Sequence, residues 1–231
     1  MQSEIRPGRF QVLPLVIKNL IIINGLVWLA QITIGQDLFS MEELFALHHF
    51  DSDFYKPWQY FSYMFLHSPS SFFHILFNMF ALWMFGSTLE NLWGPTRFLI
   101  FYLVCGLGAG ITQELALSYD VAQLNAAYES GKIGMEEWYI RTNVPTLGAS
   151  GAVMGIFAAF AYTFPNSQMI ILPIPFPIKA KWALLGLALL DLFGGVSSAS
   201  TGIAHFAHLG GAAVGIIIVM IWNRRSRNHF Y

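Results

Sequence analysis

Six long apolar stretches alternate with polar segments along the chain, at about 12–34, 72–92, 97–116, 148–165, 181–199 and 203–222, and a helix needs about 20 such residues to cross roughly 30 Å of hydrocarbon. Backbone polar groups in lipid must be satisfied within their own segment, so each stretch is predicted to be a helix. The first connecting loop, roughly 36–71, mixes Phe39, Met41, Leu44, Phe45, Phe50, Phe54 and Trp58 with acidic residues, a pattern suited to the membrane interface. The second, roughly 117–147, is long and more polar, and periodicity does not fix short helices within it. Pro173-Ile174-Pro175-Phe176-Pro177 excludes regular helix, because each proline removes a backbone donor, and predicts an interfacial turn between spans four and five.

Composition agrees with a membrane setting. Hydrophobic residues make up 55% and charged residues 11% of the chain, too few polar groups to cover a soluble globule. The net charge of −1 conceals a strong asymmetry. Arg6, Arg9, Arg97, Lys179, Lys181, Arg224, Arg225 and Arg227 fall on one side of the six spans, so that side, with both termini, is expected to be cytoplasmic. Acidic residues including Asp51, Asp53, Asp120, Glu136 and Glu137 dominate the other. The first apolar run has spanning length and follows Arg6 and Arg9, so it is expected to stay as a helix and not to be cleaved. Cys105 is the single cysteine, which excludes an intrachain disulfide. Without a flexible linker or an internal repeat, one domain over 1–231 is the simplest organisation.

This topology brings the first turns of spans two, four and six to one depth in the outer part of the bilayer, and each carries polar groups. Span two opens with His74 and Asn78, which share a helix face at i, i+4. Span four opens with Gly148-Ala149-Ser150-Gly151, and span six carries His205 and His208. A serine beside a neutral histidine is the arrangement for nucleophilic attack on an ester or amide. His74, Asn78 and the Ser150 backbone amide, with Gly148 beside them, are candidates to stabilise the resulting oxyanion. The nearby acidic residues, Asp191 and Glu114, flank other spans, so the pair reads as a Ser-His dyad rather than a triad. Gly151 and Gly155 in span four, and Gly211 and Gly215 in span six, form small-xxx-small patterns that allow close helix approach. His208 shares the stripe of Gly211 and Gly215 while His205 is rotated by about 60°, which favours His208 as the base.

Each motif alone has a simpler reading, as helix packing or as an interhelical hydrogen bond. Together and in this order they resemble the rhomboid intramembrane serine proteases. The resemblance rests on His74-x-x-x-Asn78, on Gly148-x-Ser150-Gly151, on Ala207-His208-x-x-Gly211, and on Gly86, Glu90 and Gly94 at the inner end of span two. It implies an all-α, six-transmembrane-helix bundle that cleaves transmembrane segments of other membrane proteins near the external boundary. Ser150 is then the nucleophile, His208 the base, and Gly86, Glu90, Gly94, Gly151, Gly155, Gly211 and Gly215 are structural. No metal or organic cofactor and no nucleic-acid partner are implied; the lipid bilayer and transmembrane substrates are. A bacterial plasma membrane is expected from the lack of a targeting segment or extra domain in this sequence. Span five with the loop Gly194–Gly202 looks like the family's mobile gate. Two positions depart from the pattern: Gln59 follows Trp58 where many bacterial members carry arginine, and Met154 stands where an aromatic residue often packs on the catalytic histidine. A silent client-binding relative usually lacks the serine or histidine, and a transporter would show charges along a through-path.

Overall fold

The computed structural model describes residues 10–34, 40–170, 176–197 and 204–227. Its helices, in chain order, are α1 (Leu15–Thr33), α2 (Met41–Phe45), α3 (Gln59–Ser62), α4 (Phe72–Trp93), α5 (Pro95–Glu129), α6 (Met135–Thr142), α7 (Ser150–Thr163), α8 (Ala180–Val196) and α9 (His205–Arg227). The six predicted spans correspond to α1, α4, α5, α7, α8 and α9. Of these, α1, α4, α5 and α9 are long and apolar enough to cross a membrane.

Two segments differ from the hydropathy reading. Span three continues well past residue 116, because α5 runs unbroken for 35 residues to Glu129. The tail from Ser118 onward is polar yet contains no proline or glycine, so nothing in it breaks the ladder. It packs against α6, where the Trp138 indole donates to Asn125 Oδ1 at 2.7 Å. Short helical structure in the second loop therefore consists of an extension of α5 and the separate α6. Between α7 and α8, Gln168–Met169 pairs antiparallel with Ile178–Lys179, a four-residue departure from an all-helical chain. Pro173, Ile174 and Pro175 of the expected turn lie outside the described residues, as do Arg6, Arg9 and residues 198–202 of the expected gate loop.

α7 is the central helix. Nine of its 14 residues are buried, and α4, α5, α8 and α9 surround it. Small side chains make this possible. A β-carbon at Gly155 would lie 2.7 Å from Cys105 Cβ and 2.9 Å from the Gly211 carbonyl, and one at Gly211 would run into the Gly151 carbonyl. Helices in lipid gain no hydrophobic drive from meeting one another, so this backbone-to-backbone approach supplies van der Waals contact instead.

One end of the bundle is tied by Glu90. Its Oε1 accepts from the Val16 N–H and its Oε2 from the Ile17 N–H, both at 2.9 Å, which satisfies two of the amides left over at the start of α1. Gly86, one turn earlier, leaves the space that Ile17 fills. Gly94 takes φ +80°, a conformation that favours glycine, and Pro95 then opens α5 at a position where its missing N–H costs nothing. Trp93 meets Trp222 at the same end, and Arg97 lies over the Trp222 ring.

Candidate active site

At the opposite end, the first loop is bound to the approach to α7. Leu47 and Thr146 exchange both backbone hydrogen bonds at 2.8 Å, and the Gly148 N–H donates to the Tyr63 carbonyl at 3.0 Å. Gln59 organises that loop from within. Fully buried, its amide donates to the Glu43 and Phe54 carbonyls while its oxygen accepts from the His48 and Lys56 N–H groups. The neutral amide thus makes both kinds of bond, where an arginine could only donate.

These ties fix the start of α7. Gly148 has φ +126°, and a β-carbon there would lie 2.9 Å from His74 Nε2 and 3.7 Å from Ser150 Oγ. Expected near the oxyanion donors, Gly148 has its own N–H committed to Tyr63, so what it contributes is conformation and room. Ser150 begins α7, where the first N–H groups lack intrahelical carbonyls and the helix dipole presents positive charge.

The Ser150 hydroxyl lies 2.8 Å from His208 Nε2. α7 carries the first residue and α9 the second, and the facing pairs Gly151–Gly211 and Gly155–Gly215 set the helix separation that permits this distance. Both side chains are partly exposed.

His74 sits across Gly148 from the serine. Its Nδ1 accepts the Ser68 backbone N–H at 3.2 Å, so the neutral ring carries its proton on Nε2, the atom nearest Gly148. Asn78 donates one amide hydrogen to the His74 carbonyl at 2.9 Å. His67 packs edge-on against His74, with ring centroids 5.1 Å apart.

One acidic residue set aside on sequence grounds is part of this cluster. Asp191, on α8 and 8% exposed, lies 3.0 Å from His208 Nδ1 and 2.8 Å from His205 Nδ1, both measured to Oδ1. Its signal was present: the one acidic residue of α8, set in the apolar run that follows Lys181, with Gly194 and Gly195 three and four residues on along the same face. What spacing could not supply was the crossing of α8 over α9.

The Rhomboid domain family model matches residues 55–225. The chain is 29% identical over 209 residues to the Rhomboid protease AarA of Providencia stuartii, covering 87% of this chain and 69% of that protein. It is 32% identical over 165 residues to the mitochondrial presenilin-associated rhomboid-like protein of Homo sapiens, covering 69% of this chain and 38% of that one. Over 150 residues it is 28% identical to the mitochondrial Rhomboid protein 1 of Saccharomyces cerevisiae, covering 65% and 38%. The chain therefore spans well under half the length of these mitochondrial relatives.

Proposed function

The chain belongs to the rhomboid family, and from that premise we propose that it is an intramembrane serine endopeptidase, a single six-span domain that cleaves transmembrane segments of other proteins near the external membrane boundary. The observation that carries this reading is the 2.8 Å hydrogen bond between Ser150 Oγ and His208 Nε2 at the N-terminus of α7.

In this mechanism Ser150 Oγ attacks the scissile carbonyl carbon as His208 Nε2 takes the hydroxyl proton. The carbonyl π bond becomes the oxyanion, for which the Ser150 N–H, the His74 Nε2–H and the remaining amide hydrogen of Asn78 are the proposed donors. Collapse expels the amine, which takes the proton from His208, and leaves an ester on Ser150. Water then attacks that ester, with His208 again accepting and returning a proton.

Helix length supports a reaction below the membrane surface. With 14 residues, α7 spans about 21 Å at 1.5 Å per residue, less than the roughly 30 Å of hydrocarbon. With its C-terminal end at the basic side, its first residue lies beneath the outer boundary. Arg97, Lys179, Lys181 and Arg224 stand at that basic end, which supports a cytoplasmic orientation of both termini. A bacterial plasma membrane is the proposed location, with the Providencia stuartii relative, matched over 87% of this chain, as its support.

The test is cleavage of a model transmembrane substrate by the purified chain in liposomes, alongside Ser150→Ala and His208→Ala. Loss of cutting in both folded variants is expected. Cutting that survives Ser150→Ala overturns the mechanism.

A further inference from the structure

We infer that Asp191 is a positioning residue for the hydrolysis proposed above, holding His208 by its Nδ1 proton so that Nε2 faces Ser150 as an acceptor. The inference rests on that reading of Ser150 and His208, and extends the pair to a third helix.

A neutral imidazole carries one proton, which the acceptor beside either nitrogen can hold. Ser150 Oγ stands at Nε2 and Asp191 Oδ1 at Nδ1. The carboxylate can only accept, so it keeps the proton on Nδ1 and leaves the Nε2 lone pair for the serine hydroxyl. Once Nε2 has taken the serine proton, the ring is an imidazolium. The adjacent carboxylate then supplies the opposite charge in a medium where Coulomb interactions are strong.

Asp191 is itself held. His205 Nδ1 donates to the same oxygen at 2.8 Å, so the carboxylate has a second anchor one turn from His208. The packing is shaped for this pair of bonds. A β-carbon at Gly194 would strike the His205 ring, and one at Gly195 would lie 2.9 Å from Phe206. Asp191, Gly194 and Gly195 thus form one face of α8 on which the first turns of α9 rest. A carboxylate buried in the outer part of an apolar helix is costly without such partners. The groups around His208 are Ser150 from α7, His205 from its own helix, Asp191 from α8 and, beyond Ser150, His74 from α4.

The test compares Asp191→Asn and Asp191→Ala with the intact chain in liposomes, measuring kcat and KM separately together with thermal unfolding. Asparagine matches the shape and keeps an accepting oxygen, so it restores a purely structural role. As an orienting charge, Asp191 loses about 10²-fold in kcat on change to alanine and at least about 10-fold on change to asparagine, with KM nearly unchanged; the ~10⁴-fold loss for the same carboxylate-to-amide change in a soluble triad is the upper end, reached when the amide presents its NH2 to Nδ1 and selects the wrong tautomer. Nitrogen-15 spectra of histidine-labelled protein should show His208 protonated at Nδ1 in the intact chain and as a mixture of tautomers in the alanine variant. Should alanine prevent folding, the asparagine variant carries the test alone. Wild-type kcat in Asp191→Asn, or an unchanged His208 signature in Asp191→Ala, overturns the inference. Ser150→Ala serves as the control: if it still cuts, the proposed mechanism has failed, whereas an inactive Ser150→Ala beside a fully active Asp191→Asn sinks only the role of Asp191.

Discussion

The Ser68 backbone N–H fixes the tautomer of His74. By donating to Nδ1 at 3.2 Å, it leaves the imidazole proton on Nε2, beside Gly148 and within a residue's width of Ser150. The donor is a main-chain group, so it is preserved whatever side chain stands at 68, except proline. Removing a single oxyanion donor typically costs about 10²–10³-fold in kcat. His74→Ala is therefore expected to lower kcat by about 10²-fold with little change in KM, as measured by substrate cleavage in liposomes. Asn78→Ala should cost less, because one of its amide hydrogens is already bound to the His74 carbonyl.

The contact of α7 with α9 predicts a sharp dependence on glycine position. Gly211→Ala drives a methyl group into the Gly151 carbonyl, and Gly155→Ala meets both Cys105 and Gly211. Overpacking of this kind costs about 1–3 kcal/mol, and here it also separates Ser150 from His208. Both variants should unfold at lower temperature and lose cleavage beyond what the folded fraction explains. Gly186→Ala, whose β-carbon has nothing within 4 Å, should match the parent in both measurements.

How far such relations could be read from the chain differs from residue to residue. The apolar runs located the helices to within a few residues, except where α5 continues to Glu129, because a hydropathy window ends with the lipid while a helix ends only at a breaker. Glycine spacing anticipated the Gly151–Gly211 contact, since both its residues lie on periodic faces. Asp191 was visible as a charge but not as a partner of His208: a third helix reaches the site only through tertiary packing, which no local period encodes. Gln59 illustrates the reverse problem. In the sequence it stands only as a departure from a pattern, yet its amide binds four backbone groups across the first loop, an assignment that requires the fold of that loop.

Glu90 offers a test that separates stability from chemistry. Both carboxylate oxygens hold amides at the start of α1, at the end of the bundle far from Ser150. A buried group left unsatisfied costs about 1–3 kcal/mol, so Glu90→Ala is expected to destabilise by a few kcal/mol in detergent. Glu90→Gln, which retains one accepting oxygen, should fall between. Thermal unfolding checks the order, and kcat per folded molecule should stay at the parental value in both.

His67 sets an acid limb to stability. It precedes α4 and is fully buried. Burial first, and His74 beside it second, push its pKa from the ordinary 6.5 down to about 3. As pH falls through 6.5 the unfolded chain takes up a proton that the folded chain refuses, so the folded state loses ground progressively until about pH 3, where it too protonates. Above pH 7 the ring is neutral in both states and contributes no slope. Unfolding temperatures measured from pH 7.5 to 4.5 should therefore decline, and His67→Phe, which fills a similar volume without a titrating nitrogen, should flatten that decline. An equal slope in both proteins would assign the acid sensitivity to other groups.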